Sequence, residues 1–137
     1  MGLRPVSIAV APNGGRRTKE DHPALAMSAQ ELAETASRCL DAGASMIHVH
    51  ARDRDGRHIL DADAYRDIIR AISAAVGDKL VVQITSESLG IYEPAQQMHV
   101  LKNPGAPDGS PWYPANFEGD LVTPEWTFAA GSLRRWP

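Results

Sequence analysis

Two histidines separated by one residue are the most chemically specific feature of the sequence. His48 and His50 lie in the apolar run at residues 45–51, SMIHVHA. Alternate residues of a strand share one face, so both imidazoles can reach one ion at a Zn–N distance of about 2.0–2.1 Å. A catalytic zinc usually needs a third protein ligand, which must come from elsewhere in the fold. The alternative is a pair of core histidines satisfied by hydrogen bonds.

Polar side chains near the ends of two predicted strands could act at the same site. Arg52 follows the histidines, and Thr85 and Ser86 stand at the end of a later apolar run. Because ligands of parallel α/β folds bind beyond the carboxyl ends of the strands, these three are candidate catalytic residues. The alternatives are a structural ion pair between Arg52 and Asp53 and hydroxyls that merely cap a turn.

The long loop after the first predicted strand reaches the same edge. Its cations Arg16, Arg17 and Lys19 would attract an anionic substrate, or would form an ordinary solvated charge run. The adjacent glycines do not match the G-x-G-x-x-G or phosphate-binding-loop spacings. No further cofactor-binding residue is therefore assigned.

Strand and helix patterns alternate along the first 102 residues. Three short apolar runs predict buried strands, at residues 6–11, 45–51 and 80–85. Helices are predicted from Ser28, which has capping-box spacing to Glu31, to before Gly43, then at residues 62–76 behind Asp61, and at 94–102. The order βαβαβα predicts an α/β fold with a parallel sheet.

The composition changes at about residue 103. Residues 103–137 hold six of the ten prolines and all three tryptophans, without a strand or helix period. We therefore predict a folded region at 1–102 and an irregular tail at 103–137. A natural alternative ending and a change of reading frame both remain open as explanations of the tail.

The overall composition favours a globular protein without nucleic-acid or membrane partners. Hydrophobic residues make up 43% of the chain, and the net charge is −3 with acids and bases interspersed. The apolar runs are far shorter than the roughly 20 residues that span a bilayer. The single cysteine, Cys39, excludes an intrachain disulfide and fits a reducing compartment, so a cytoplasmic location is expected.

Three segments together carry more information than their separate elements: APNGGRRTKEDHPALAMSAQELA, CLDAGASMIHVHARDRDGRHILDADAYRDIIRAI and LVVQITSESLGIYEPAQQM. They resemble the β-keto acid cleavage enzyme family, which includes 3-keto-5-aminohexanoate cleavage enzyme. The resemblance covers about the first 100 residues. Its most specific parts are AGASMIHVHARD and the loop segment TKEDHPA.

The resemblance implies a fold, a reaction and roles for particular residues. The fold would be the first three βα units of a (β/α)8 TIM barrel, which is incomplete here. The reaction would be a retro-Claisen exchange, in which a β-keto acid and acetyl-CoA give acetoacetate and an acyl-CoA. By this resemblance His48 and His50 are zinc ligands, and Thr85, with Ser86 beside it, is a substrate-binding hydroxyl.

The sequence also departs from the family pattern. The family's third metal ligand, a glutamate, and its catalytic aspartate and arginine lie on late strands and have no counterpart in this chain. Arg16 stands where the best-known member has a carboxylate, which suggests a keto acid without an amino substituent.

Three hypotheses follow from these observations. The chain is a truncated β-keto acid cleavage enzyme with little activity alone, a metal-binding or assembly fragment completed by a partner chain, or a structural fragment whose histidines bind nothing. The open edges of a three-stranded sheet make self-association into a homo-oligomer the expected state.

Overall fold

A parallel sheet and two helices are the main elements of the part of the chain that the structure describes. The computed structural model describes residues 6–86 and 89–97, and the backbone of residues 113–114. Its elements are β1 (Ala9–Val10), α1 (Ala29–Asp41), β2 (Met46–Val49), α2 (Ala62–Val76), β3 (Val81–Ile84) and β4 (Tyr113–Pro114). The strands pair in parallel in the order β1-β2-β3-β4, so the predicted α/β class with a parallel sheet is confirmed.

Local hydrogen bonds fix both ends of α1. At its start, the Ser28 hydroxyl accepts the backbone N–H of Glu31, and the Glu31 carboxylate accepts the N–H of Ser28, which is the predicted capping box. At its end, Gly43 adopts a φ of 96° and donates to the carbonyl of Leu40. Because only glycine takes this conformation without strain, the helix stops where the sequence predicts.

Helix α2 has the predicted boundaries and buries one apolar face. The Asp61 side chain accepts the N–H of Ala64, and Gly77 follows the last turn with a φ of 66°. Five apolar side chains on this face are buried: Tyr65, Ile68, Ile69, Ile72 and Val76. Burying one such isoleucine contributes about 1.5–3 kcal/mol.

Helices α1 and α2 pack on one face of the sheet, which leaves the other face for the candidate metal ligands. Ile47 and Val49 of β2 and Ile84 of β3 are fully buried in the core formed with the helices. Residues alternate along a strand, so His48 and Gln83 belong to the opposite face, where both are partly buried. The candidate ligands therefore lie on the face that is turned away from α1 and α2.

Several predicted elements are shorter in the structure. Strand β1 has two residues instead of the six predicted, because only Ala9 and Val10 align with Met46 and Ile47 of β2. Of the predicted third helix, residues 94–97 are helical, and the rest lies outside the described residues. Cys39 is partly exposed at the margin of the core.

A short fourth strand lies in the segment that was predicted to be an irregular tail. Residues 113–114 pair in parallel with Gln83 and Ile84 of β3. Two residues are too few to show an alternating pattern, and a proline argues against a strand because it lacks an N–H donor. The remainder of the tail lies outside the described residues.

Neither α1 nor α2 combines the length and the apolar character needed to cross a membrane, and the same holds for every other described helical residue.

Candidate metal centre

The ring nitrogens of His48 and His50 converge at the carboxyl end of β2. Their Nε2 atoms are 3.1 Å apart, and the ring centroids are 5.0 Å apart at an interplanar angle of 72°. Two nitrogens bound to one tetrahedral zinc at about 2.0–2.1 Å lie about 3.3 Å from each other. The donor set and its spacing therefore fit two ligands of a zinc ion.

Gln83 sets the orientation of His48. Its side-chain oxygen Oε1 lies 3.2 Å from Nδ1 of His48, and the two residues are direct register partners on β3 and β2. An amide oxygen can only accept, so Nδ1 of His48 carries the proton and Nε2 carries the lone pair. Histidines that bind a metal through one ring nitrogen typically donate a hydrogen bond from the other.

Burial keeps both imidazoles neutral. Desolvation lowers the pKa of His48, although the hydrogen bond that His48 donates to Gln83 partly opposes this effect. The pKa of His50 falls to about 3, chiefly through desolvation and then through the charges of His58, His48 and Arg52. Neutral imidazoles can offer their lone pairs to a metal without first losing a proton.

His50 is held by its backbone and by neighbouring rings. The carboxamide of Asn13 donates to the His50 carbonyl at 2.8 Å and accepts the His50 N–H at 3.1 Å. The ring of His58 packs edge-to-face on the His50 ring, with centroids 4.9 Å apart. Beyond β2 the chain turns back through the antiparallel bridge between Arg52 and His58, which brings His58 to the site.

Arg52 holds the loop that follows β1. Only 9% of the residue is exposed, and its guanidinium donates to the carbonyls of Asn13, Gly14 and Arg17 on one side and of Gly56 on the other. All three of its nitrogens are used in these bonds. This arrangement supports a positioning role, while the predicted catalytic role of Arg52 stays a prediction.

The alternative ion pair between Arg52 and Asp53 is not among those formed by the described residues. The Asp53 carboxylate instead accepts the backbone N–H groups of Asp55 and Arg57 and so shapes the turn after β2. Its charge still acts on Arg52, because it opposes the lowering of the Arg52 pKa by burial.

Thr85 and Ser86 directly follow β3 and are both fully buried. The register Val49↔Ile84 places the position after β3 beside the position after β2, so Thr85 is aligned with His50. The structure thus brings the predicted hydroxyls to the histidine edge of the sheet. Their substrate-binding role stays a prediction.

The cations of the first loop have different surroundings. Arg17 forms a 2.7 Å ion pair with Asp21, and Lys19 pairs with the capping-box residue Glu31. Arg16 is exposed and takes part in no ion pair of the described residues. Arg16 is therefore the cation of this loop that is available to an anionic ligand.

A third ligand is not found in the described part of the chain. Among residues 6–86 and 89–97, no three histidine, cysteine, aspartate or glutamate side chains are arranged to hold a metal. Sequence reasoning did not single out Asn13, His58 or Gln83. A lone glutamine inside the apolar run LVVQIT was the one available signal, since a polar residue at a strand centre needs a partner.

Comparison with known proteins identifies several relatives. The chain is 34% identical to the 3-keto-5-aminohexanoate cleavage enzyme of Fusobacterium nucleatum over 63% of this chain and 32% of that protein. It is 29% identical to the enzyme of the same name from Acetoanaerobium sticklandii, over 71% of this chain and 36% of that protein. A 3-oxoadipate:acetyl-CoA acetyltransferase of Cupriavidus necator is 29% identical over 50% of this chain and 24% of that protein.

The chain thus spans about a third of the length of the first two relatives. The model of the β-keto acid cleavage enzyme family matches residues 5–123, which include the histidine pair, Gln83 and the fourth strand, and extend past the predicted boundary at residue 103. Since that match covers most of the 137 residues of this chain, the chain belongs to the β-keto acid cleavage enzyme family.

Proposed function

We propose that this chain carries two ligands of the zinc centre of a β-keto acid cleavage enzyme. The observation that carries the proposal is the 3.1 Å convergence of the His48 and His50 Nε2 atoms beyond a parallel strand. The family match supports it, because it includes both histidines. In this proposal the parallel sheet is the first part of a (β/α)8 barrel, and the histidine face is turned toward the barrel interior.

The proposed reaction is the exchange of acyl groups between a β-keto acid and acetyl-CoA. The bond between the keto carbon and the methylene that bears the carboxylate breaks, and that methylene carbon forms a new bond to the acetyl carbonyl carbon, giving acetoacetate. The acetyl–sulfur bond breaks, and the CoA sulfur takes the remaining acyl group, giving a new acyl-CoA. A zinc ion would supply a Lewis acid that polarises the keto carbonyl. Names of relatives that include acetyl-CoA as a substrate support this co-substrate.

The residues of this chain would bind and orient the reactants. His48 and His50 would hold the metal as neutral ligands, and Thr85 with Ser86 would donate hydroxyl hydrogen bonds to the substrate. Arg52 would keep the first loop in place, and we propose that it contributes to catalysis in this way.

Arg16 supports a substrate without an amino group. Its exposed guanidinium extends from the loop whose neighbouring residue, Gly15, lies against the ring of His50. The Arg16 guanidinium would repel a positively charged group on the substrate, whereas it would not repel a carboxylate or a neutral side chain. We therefore propose a keto acid with a neutral or anionic side chain.

We expect the 137 residues by themselves to show little turnover. In this proposal the histidine pair would supply two metal ligands, and the described residues include no group of three that could hold a metal, whereas a catalytic zinc usually has three ligands from the protein. The same observation favours the second candidate function, a metal-binding or assembly fragment completed by a partner chain. Self-association into a homo-oligomer is part of the proposal, and sedimentation as a monodisperse monomer would contradict that part.

The test combines zinc analysis with product analysis. Purified protein is loaded with zinc and incubated with acetyl-CoA and either 3-oxoadipate or 3-keto-5-aminohexanoate, and acetoacetate and acyl-CoA are measured by mass spectrometry. Product that is absent from the His48→Ala variant supports the enzyme, with 3-oxoadipate expected to be the better substrate. Bound zinc without product supports the second candidate, and a folded chain with neither contradicts both.

A further inference from the structure

The two histidines are oriented by different means. The ring of His48 is tied through Nδ1 to Gln83. The Nδ1 atom of His50 is buried and has no hydrogen-bond partner within the described residues. Apart from the 3.1 Å contact of its Nε2 atom with Nε2 of His48, the direction of the His50 ring must therefore come from its backbone and from packing.

Asn13 controls that backbone. Its carboxamide makes two hydrogen bonds to the same residue, one to the carbonyl and one to the N–H of His50, at 2.8 and 3.1 Å. The Asn13 carboxamide thus bonds the backbone of His50 as a neighbouring strand would. The two bonds together prevent the backbone of His50 from rotating. Asn13 is 4% exposed, so water cannot easily replace either bond.

The loop that contains Asn13 is fixed in turn by Arg52. The guanidinium binds the carbonyls of Asn13 and Gly14 and, further along, that of Arg17. Gly15 then lies directly against the ring of His50. A Cβ atom at Gly15 would be 3.4 Å from Nδ1 of His50 and 3.2 Å from a methyl carbon of Leu89.

We propose that Asn13 is a positioning residue that orients His50 for metal binding, with Arg52 holding Asn13 in place. The metal-binding part of this inference rests on the proposed function. The orienting part concerns the chain alone and can be measured without any metal. A loss of Asn13 frees the His50 backbone and lets its ring turn away from His48.

The first measurement is made on metal-free protein by NMR. The contact of the two rings predicts a nuclear Overhauser effect between His48 and His50 in the wild type. We expect this signal to disappear in Asn13→Ala. The matched control is Ser45→Ala, because Ser45 bonds Ser7 and Ile8 at the opposite end of β2, and this variant should keep the signal.

The second measurement is the zinc dissociation constant from competition with a chromophoric chelator. Loss of a partner outside the ligand shell costs about 10–100-fold in metal affinity, so we expect at least tenfold weaker binding in Asn13→Ala and no change in Ser45→Ala. If Asn13→Ala does not fold, Asn13→Asp keeps the acceptor for the His50 N–H but sets a carboxylate oxygen against the His50 carbonyl, and we expect changes in the same direction.

Two results would overturn the proposal: a ring contact that persists in Asn13→Ala, or an equal loss of zinc affinity in Ser45→Ala, which would indicate general destabilisation. A wild type that binds no zinc would refute the proposed metal centre, while the ring contact would still decide the role of Asn13.

Discussion

Replacement of Gln83 by methionine should weaken zinc binding at the histidine pair. Methionine has nearly the length of glutamine and keeps the strand packing, but it offers no amide oxygen. Nδ1 of His48 then loses the acceptor that lies 3.2 Å away in the wild type. Without that bond the ring can rotate, and the proton is no longer held on Nδ1, so Nε2 is available to the metal for less of the time.

From the structure we expect a loss of zinc affinity near the lower end of the range that such hydrogen-bond partners usually cause. Partners of this kind are worth about 10–100-fold in metal affinity. The 3.2 Å distance is at the long limit for a hydrogen bond, and both side chains are only partly buried. We therefore expect about a tenfold increase in the zinc dissociation constant, which corresponds to about 1.4 kcal/mol.

Chelator competition at constant pH measures this change, and two variants control for side effects. Gln30→Met makes the same substitution on the exposed side of α1, where Gln30 bonds Glu34, and should leave the zinc affinity unchanged. Gln83→Glu keeps an acceptor oxygen and should bind zinc at least as well as the wild type. Equal affinities in Gln83→Met and the wild type would refute the orientation of His48 by Gln83.

Three further predictions concern stability, which urea denaturation measures. Arg52→Lys should lower the free energy of unfolding by about 2–3 kcal/mol, because one ammonium group cannot donate both to the carbonyls of the first loop and to that of Gly56. An unchanged urea midpoint would contradict this role of Arg52. The pKa of Glu31 is lowered to about 2, first by Lys19 and then by backbone N–H groups, so the stabilisation from its charge is complete above pH 4.5 and is lost as the pH falls toward 2. Glu31 is about a third exposed, so Glu31→Gln should cost about 1 kcal/mol above pH 4.5 and less near pH 2; a cost independent of pH would argue against this origin. Asp61→Ala removes the N-cap of α2 and should cost about 1 kcal/mol, and a variant as stable as the wild type would show that the cap contributes nothing.

Elements defined by neighbouring residues could be predicted from the sequence. The capping box of Ser28 and Glu31 and the N-cap Asp61 act over three residues, so both helix starts were found correctly. Strand lengths depend on the partner strand, which explains why β1 was predicted too long. The short β4 pairs with β3 across about 30 residues and has no local pattern to reveal it.

In the candidate site, too, residues with a local sequence pattern could be predicted, whereas contacts between distant residues could not. His48 and His50 could be found because their spacing places both on one face of one strand. Asn13 bonds a residue 37 positions away, and Gln83 bonds one 35 positions away, so neither contact has a local signal. Arg52 was noticed as a charge at a strand end, but its bonds to four backbone carbonyls required the folded loop.

The most direct test of the metal centre is the zinc content of purified protein and of a His48→Ala/His50→Ala double variant. After loading and desalting, elemental analysis should find near-stoichiometric zinc in the wild type and a loss of that zinc in the folded double variant. A folded wild type without zinc, or equal zinc in both proteins, would contradict the assignment of these histidines as metal ligands.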